Sequence, residues 1–148
     1  MKNQYLEEAI QELVNGHSKK RHPFRYFVLA TNENGKLSSI RFLQDENILN
    51  QGEEVYVMMC AHCHGLQGGG DGPITKASFS NNPYDVIPAF NNSEDIRVRN
   101  NLPMTEFTEG HIFHTITYGY NKMGPHASQI TEEERWKIVY YIKEKLQK

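Results

Sequence analysis

Apolar positions recur at helical spacing in four stretches of the chain. Leu6, Ala9, Ile10, Leu13 and Val14 fall at i, i+3, i+4, i+7 and i+8, which predicts an amphipathic helix over residues 1–16 stopped by Gly16. Residues 25–30 and 37–42 are rich in β-formers and flank Asn32-Glu33-Asn34-Gly35-Lys36, the composition of a hairpin turn. A second helix begins with Asp45 as its N-cap. Ile48, Leu49, Gly52, Val55, Tyr56 and Met59 form its apolar stripe, which ends at Cys60. Glycine inside a helix costs about 0.8–1 kcal/mol relative to alanine, so Gly52 predicts the close approach of another helix. Thr108 caps a third helix with Ile112, Phe113 and Ile116 inward and Gly119 at its end. The fourth opens on the capping box Thr131-Glu132-Glu133-Glu134 and carries lysines late, at 143, 145 and 148. Its apolar face is Trp136, Val139, Tyr140 and Leu146, with Trp136 and Tyr140 expected against Gly52 and Tyr56. Between these helices, Gly65 to Pro73 reads as a flexible glycine-rich loop. Residues 74–107 read as irregular apart from a short helical turn near Ser93-Glu94-Asp95.

Composition narrows the class without choosing a function. The 148 residues suffice for about one domain, and 38% hydrophobic content with a mean hydropathy of −0.67 leaves a modest core. A net charge of −2 gives no electrostatic basis for a nucleic-acid partner. No apolar run approaches a membrane span. The longest near the start, Tyr26 to Ala30, is too short for the core of a signal peptide. The basic run His17 to His22 is read as a solvated loop in preference to a contact for acidic partners or lipid headgroups.

The two cysteines change the picture. They stand in Cys60-Ala61-His62-Cys63-His64, the spacing of a covalent c-type haem attachment site. On a helix, positions i, i+3 and i+4 share a face, so two thiols can meet one edge of a porphyrin while the imidazole lies beneath its iron. Competing chemistries fit less well. A thioredoxin-like pair wants a strand-to-helix junction in a βαβ pattern, and none is visible. A zinc site wants a second ligand pair, for which His111 and His114 are the only close candidates. A disulfide across two residues would close a loop too small to stabilise much. The long coil of residues 74–107 would be suspect in an ordinary compact domain, but a large flat cofactor gives it something to pack on.

A haem held by one histidine leaves a sixth position, and its occupant separates electron carrier from gas binder or catalyst. Of the five methionines, Met1 is terminal and Met58 and Met59 lie too near Cys60 to reach the far face. Met123, in the polar loop Tyr118 to Pro125, is the leading candidate. Met104 and the histidines His126, His111 and His114 stay open, as does an open or labile site serving ligand binding or catalysis.

From about Asn47 to its end, the chain resembles a monohaem cytochrome c domain with His/Met ligation. The resemblance rests on Gly52-x-x-x-Tyr56, Cys60-x-x-Cys63-His64-Gly65, Gly70-Asp71-Gly72-Pro73, the Met123 loop, and Glu134-Arg135-Trp136 leading into Tyr140-Tyr141-Ile142. More narrowly, Thr108 to Gly119 followed by Met123 to Gln129 resembles the monohaem cytochrome subunit of alternative complex III, a bacterial quinol-oxidising complex. The resemblance implies an all-α cytochrome c domain over residues 47–148, preceded by an N-terminal extension, 1–46, of helix, basic loop and β-hairpin. It implies one haem c attached through Cys60 and Cys63, with His64 and Met123 on the iron, and single-electron transfer in place of enzymatic turnover. Pro73 would lend its carbonyl to the Nδ1–H of His64 and orient the ring. Arg97 and Arg99 are candidate partners of the haem propionates, weighed equally against a pair of solvated arginines. Met123 is followed by Gly124-Pro125, where many cytochromes have proline directly after the ligand. The implied partners are redox proteins: a quinol-oxidising complex, a terminal oxidase or another cytochrome. Any membrane association is expected through a segment upstream of Met1. The implied compartment is the periplasm or the outer face of the inner membrane, because c-type haem is attached outside the cytoplasm.

Overall fold

The structure, a computed structural model, describes the backbone of residues 27–31 and 37–42, and residues 45–78, 80–94 and 102–148. The expected helix over residues 1–16, the basic run, the turn at 32–36, and Arg97 and Arg99 lie outside the described residues. Strands β1 (Phe27–Thr31) and β2 (Leu37–Phe42) pair antiparallel, with Phe27 opposite Phe42 and Leu29 opposite Ile40. The register shifts between Ala30 and Thr31.

Helix α1 (Glu46–Met59) starts where the sequence places it. The Asp45 carboxylate accepts from the N–H groups of Asn47 (2.9 Å) and Ile48 (3.2 Å), satisfying two donors that the first turn leaves open. Its stripe is the expected one: Ile48, Gly52 and Tyr56 are buried, and Leu49, Val55 and Met59 pack against the core. A single turn, α2 (Ala61–His64), follows at once. Helix α3 (Glu109–Tyr118) is capped by Thr108 and ends at Gly119, with Ile112 and Ile116 buried. Helix α4 (Glu132–Tyr141) begins in the predicted capping box: the Thr131 N–H donates to Glu134 Oε2 at 2.7 Å, and the Glu134 N–H donates to Thr131 Oγ1 at 3.2 Å. It then widens into a π-helical turn, Ile142–Leu146.

The core is built where α1 crosses α4. At Gly52 the helices touch backbone to backbone, since a Cβ there would land on the Lys137 carbonyl and come within 3.2 Å of Tyr141 Cβ. The partner residues differ from those expected by one position. Tyr141, not Tyr140, meets Tyr56, with ring centroids 5.2 Å apart. Trp136 turns instead to α3 and stacks on Phe113 at 4.1 Å. The reason is that α4 is buried almost all round, so its sequence carries no single apolar stripe to choose by. Polar clamps flank the crossing, from Lys137 Nζ to Gln51 Oε1 (2.7 Å) and from the Tyr141 hydroxyl to Glu53 Oε1 (3.3 Å).

Two further expectations are corrected. Among the described residues, the short helical turns of the long irregular stretch are 3-10 turns at Pro73–Lys76 and Met104–Glu106. Ser93 and Glu94 form a bend, with the Glu94 N–H on Asn92 Oδ1 at 2.9 Å, and Asp95 lies outside the described residues. The signal for the first turn was Pro73 itself, whose fixed φ suits the opening position. Nor is Gly65 to Pro73 a loose loop. Gly68, Gly70 and Gly72 donate to the carbonyls of Gly65 (3.1 Å), His64 (2.8 Å) and Cys63 (3.2 Å), and Phe90 donates to Gly68 (2.9 Å).

Candidate haem site

Helix α1 delivers the cysteine motif and a sharp break shapes it. Cys60 ends α1, with its N–H on the Tyr56 carbonyl at 2.8 Å, and is also the cap of α2 at φ −120°. The N–H groups of Cys63 (3.1 Å) and His64 (2.9 Å) both return to the Cys60 carbonyl. The two cysteines and the histidine therefore occupy one tight turn, which begins where the apolar stripe of α1 ends. Tyr56, fully buried, donates its hydroxyl to the Gly65 carbonyl at 2.7 Å and ties the end of that turn back to α1. Gly65 and Gly70 both have φ in the left-handed region, +81° and +72°, so glycine is required at these bends.

His64 is held by packing. Its ring stacks on Phe90 with centroids 4.9 Å apart and planes 21° apart. Its Nδ1 is buried with no hydrogen-bond partner among the described residues. A hydrogen bond from Nδ1 to the Pro73 carbonyl is not formed among the described residues. The Gly72-Pro73 segment does lie against the motif: a Cβ on Gly72 would come within 2.6 Å of the Cys63 carbonyl. Burial, reinforced by His62 and His126, pushes the His64 pKa down to about 4, so the imidazole is neutral at physiological pH. Neutral imidazole is the form that binds a metal.

Phe90 had no signature in the sequence beyond being one aromatic in an Asn-, Ser- and Pro-rich stretch. The structure buries it between His64, Tyr56 (centroids 6.3 Å) and Gly68, where a Cβ would come within 2.6 Å of its ring.

The thiols are tuned against redox exchange. Burial pushes the Cys60 thiol up to about 12, with Cys63 adding to the shift, and burial also raises Cys63. A dithiol oxidoreductase needs the opposite, a thiolate stabilised near neutral pH. The zinc alternative finds no support either, since no three Cys, His, Asp or Glu side chains gather as ligands among the described residues.

The remaining candidates are distributed as follows. Met123 packs, half-buried, against the core cluster that contains Cys60 and Phe90. It closes a two-residue turn, with Tyr120 and Met123 each donating an N–H to the other's carbonyl at 3.0 Å. His126, in the same loop, donates its N–H to the Ile116 carbonyl at 2.9 Å, and its buried Nδ1 has no hydrogen-bond partner among the described residues. Met104 is core, 5% exposed. His111 Nδ1 accepts from the Thr108 N–H at 3.2 Å in the cap of α3, and the His114 ring pairs with Tyr118 at 4.8 Å.

Residues 47–142 match the family described as cytochrome c oxidase, cbb3-type, subunit III. The chain belongs to this family of c-type cytochromes. No curated relative matches the sequence. Among solved structures the cytochrome is similar to cytochrome cL from the marine methylotroph Methylophaga aminisulfidivorans, at 20% identity and a TM-score of 0.48, over 68% of this chain and 54% of that one. Cytochrome cL from Hyphomicrobium denitrificans gives 28% identity and a TM-score of 0.45, over 65% and 46%. The KustC0563 c-type cytochrome gives 19% identity and a TM-score of 0.43, over 62% and 93%. The chain thus spans about half the length of the two cytochrome cL structures.

The cofactor of this cytochrome domain is covalently bound haem c, and the residues present fit it. Two thiols and a neutral imidazole share one turn, and the imidazole's second nitrogen is buried and in want of an acceptor. The domain is an all-α electron-transfer module of the cytochrome c type.

Proposed function

We propose that Cys60 and Cys63 carry the thioether bonds, that His64 and Met123 are the axial ligands, and that the protein relays single electrons within or next to a quinol-oxidising respiratory complex toward a terminal acceptor. The observation that carries the reading is the tight Cys60–His64 turn with a buried, neutral imidazole at its end. Haem c, when bound, supplies reversible one-electron chemistry. The protein's part is to hold and tune it. A ligand on each side leaves no open position for substrate, which suits electron transfer better than turnover. A thioether opposite His64 and the apolar surround of Phe90 and the core both disfavour the extra charge of the ferric state and raise the potential.

The complex in question is read from the Thr108–Gly119 and Met123–Gln129 resemblance, which points to alternative complex III. Placement in the periplasm, or on the outer face of the inner membrane, follows from where c-type haem is attached. Redox proteins are the partners on this reading.

The test uses the full chain matured with haem. Its intact mass should carry one haem increment, and the ferric protein should show a far-red sulfur-to-iron charge-transfer band. Met123→Leu should abolish that band, lower the potential and allow carbon monoxide to bind the reduced form readily. A band that survives Met123→Leu refutes the ligand assignment. A colourless protein at its bare polypeptide mass refutes the whole reading.

A further inference from the structure

Arg135 is a buried cation with no carboxylate against it among the described residues. It lies in the first turn of α4 with 9% of its surface exposed. It forms no ion pair with a carboxylate among the described residues, and its buried Nε has no hydrogen-bond partner. Its Nη1 donates to the Ile130 carbonyl at 2.8 Å and reaches the Ala127 carbonyl at 3.5 Å. The guanidinium carbon lies 5.3 Å from the centroid of Phe113, whose other neighbour is the stacked Trp136 ring.

Burying a charge without a partner is costly, so the position demands a reason. The carbonyls it reaches supply one. Ala127 and Ile130 belong to the limb of the loop that returns from Met123 to α4. The outgoing limb is fastened by the Tyr120–Met123 pair, and the middle by the His126 N–H on the Ile116 carbonyl at 2.9 Å. The returning limb is turned by the Gln129 and Ile130 N–H groups on the His126 carbonyl, at 3.0 and 3.1 Å, and Arg135 ties it to α4. The guanidinium suits this, because its carbon sits over the Phe113 ring while one amino group, Nη1, faces both carbonyls.

We propose that Arg135 is a positioning residue for the sixth ligand, clamping the returning limb of the loop between α3 and α4 so that Met123 stays on the iron. The inference rests on the His64/Met123 reading, and the experiment separates the two.

The ferric, haem-loaded full chain is titrated with imidazole while the far-red sulfur-to-iron band is followed. Imidazole binds only after methionine leaves, so its apparent affinity includes the cost of opening the loop. Arg135→Met should bind imidazole about tenfold more tightly, the order expected for losing a charge-assisted hydrogen bond. Arg135→Lys, which keeps the charge but loses the planar group over Phe113 and its reach to both carbonyls, should fall between it and the wild type. Lowered thermal stability with unchanged imidazole affinity in both variants makes Arg135 a mere prop for the start of α4 and overturns the inference. Should Arg135→Met fail to fold, Arg135→Lys decides alone: tighter binding supports the clamp and unchanged binding refutes it. Met123→Leu is the control. If the band survives that substitution, or is absent from the wild type, Met123 is no ligand and the inference falls with that reading.

Discussion

Replacing Gly52 with alanine sets two opposed effects against each other at the place that positions the haem. Alanine favours the helix by about 1 kcal/mol over glycine. Against that, its Cβ would land on the Lys137 carbonyl oxygen, 2.8 Å from the carbonyl carbon and 3.2 Å from Tyr141 Cβ. These neighbours are backbone and a backbone-proximal carbon, so no side chain can swing aside. Relief requires α1 and α4 to separate, which loosens the packing around Tyr56, Ile138 and Val139, the three largest fully buried side chains among the described residues. Overpacking of this kind costs about 1–3 kcal/mol, and a clash with backbone belongs at the upper end. The net expectation is a loss of about 1–2 kcal/mol after the helix gain is subtracted. For a chain of this size that corresponds to a fall in Tm of about 2–8 °C. Thermal unfolding of the haem-loaded protein, followed by circular dichroism, measures it. Gly124→Ala is the control, because a Cβ there meets nothing within 4 Å. It should leave Tm unchanged. A Gly52→Ala protein as stable as the wild type, or more so, would show that helix propensity outweighs the crossing and that the backbone contact is not what sets the helix spacing.

Tyr56→Phe removes the hydroxyl that reaches the Gly65 carbonyl at 2.7 Å inside the core, so a loss of about 1–2 kcal/mol is expected, with faster amide exchange in Gly68, Gly70 and Gly72. Equal exchange in mutant and wild type would mean the glycine segment holds itself. The Glu134 carboxyl is held below its ordinary value of 4.5 first by the Thr131 N–H, then by the Thr131 hydroxyl. A lowered folded-state pKa contributes stability above the unfolded value that disappears as pH falls through the folded one. Glu134→Gln should therefore differ from the wild type most at neutral pH and converge with it below about pH 4.5, as read from Tm against pH. Replacing Cys60 and Cys63 together by serine should leave the chain without attached haem and poorly folded, because cofactor binding and folding are coupled. Native helix content in the haem-free double variant would contradict that coupling.

What could be read from the sequence was local, and what could not was long-range. Asp45, Thr108 and Thr131 announce their helices because capping involves atoms three residues apart. Gly52 announces a close approach because glycine has no other reason to sit in that stripe. It does not say which residue approaches, and on a helix buried on nearly every side the pattern cannot separate Tyr140 from Tyr141. The glycine-rich segment after His64 misleads for a related reason. Composition records the freedom of glycine but not the hydrogen bonds to Cys63 and His64 that remove it. Phe90 is the deepest omission, and Arg135 enters the sequence reading only as part of a motif, without a role. Their importance lies wholly in what they touch, His64 in one case and the Ala127 and Ile130 carbonyls in the other.

The two sides of the haem site are built with unequal stiffness. On the His64 side, every turn from Tyr56 to Gly72 is tied by backbone bonds to its neighbour, and Gly65, Gly70 and Gly72 fit so closely that a Cβ at any of them would collide. Between α3 and α4, the loop is fastened at fewer points: the reciprocal Tyr120–Met123 pair, the His126 N–H on the Ile116 carbonyl, the Gln129 and Ile130 N–H groups on the His126 carbonyl, and the Arg135 guanidinium. Segments with few fastenings open at lower free energy than segments with many. The cysteines and His64 share the densely bonded side, so on the proposed ligation covalent attachment and the first axial ligand would depend on the part of the fold most closely tied. On the proposed ligation, adjustment of the iron through Met123 would act on the other side, where a Cβ on Gly124 meets nothing within 4 Å and Arg135 donates to the Ile130 carbonyl of the returning limb.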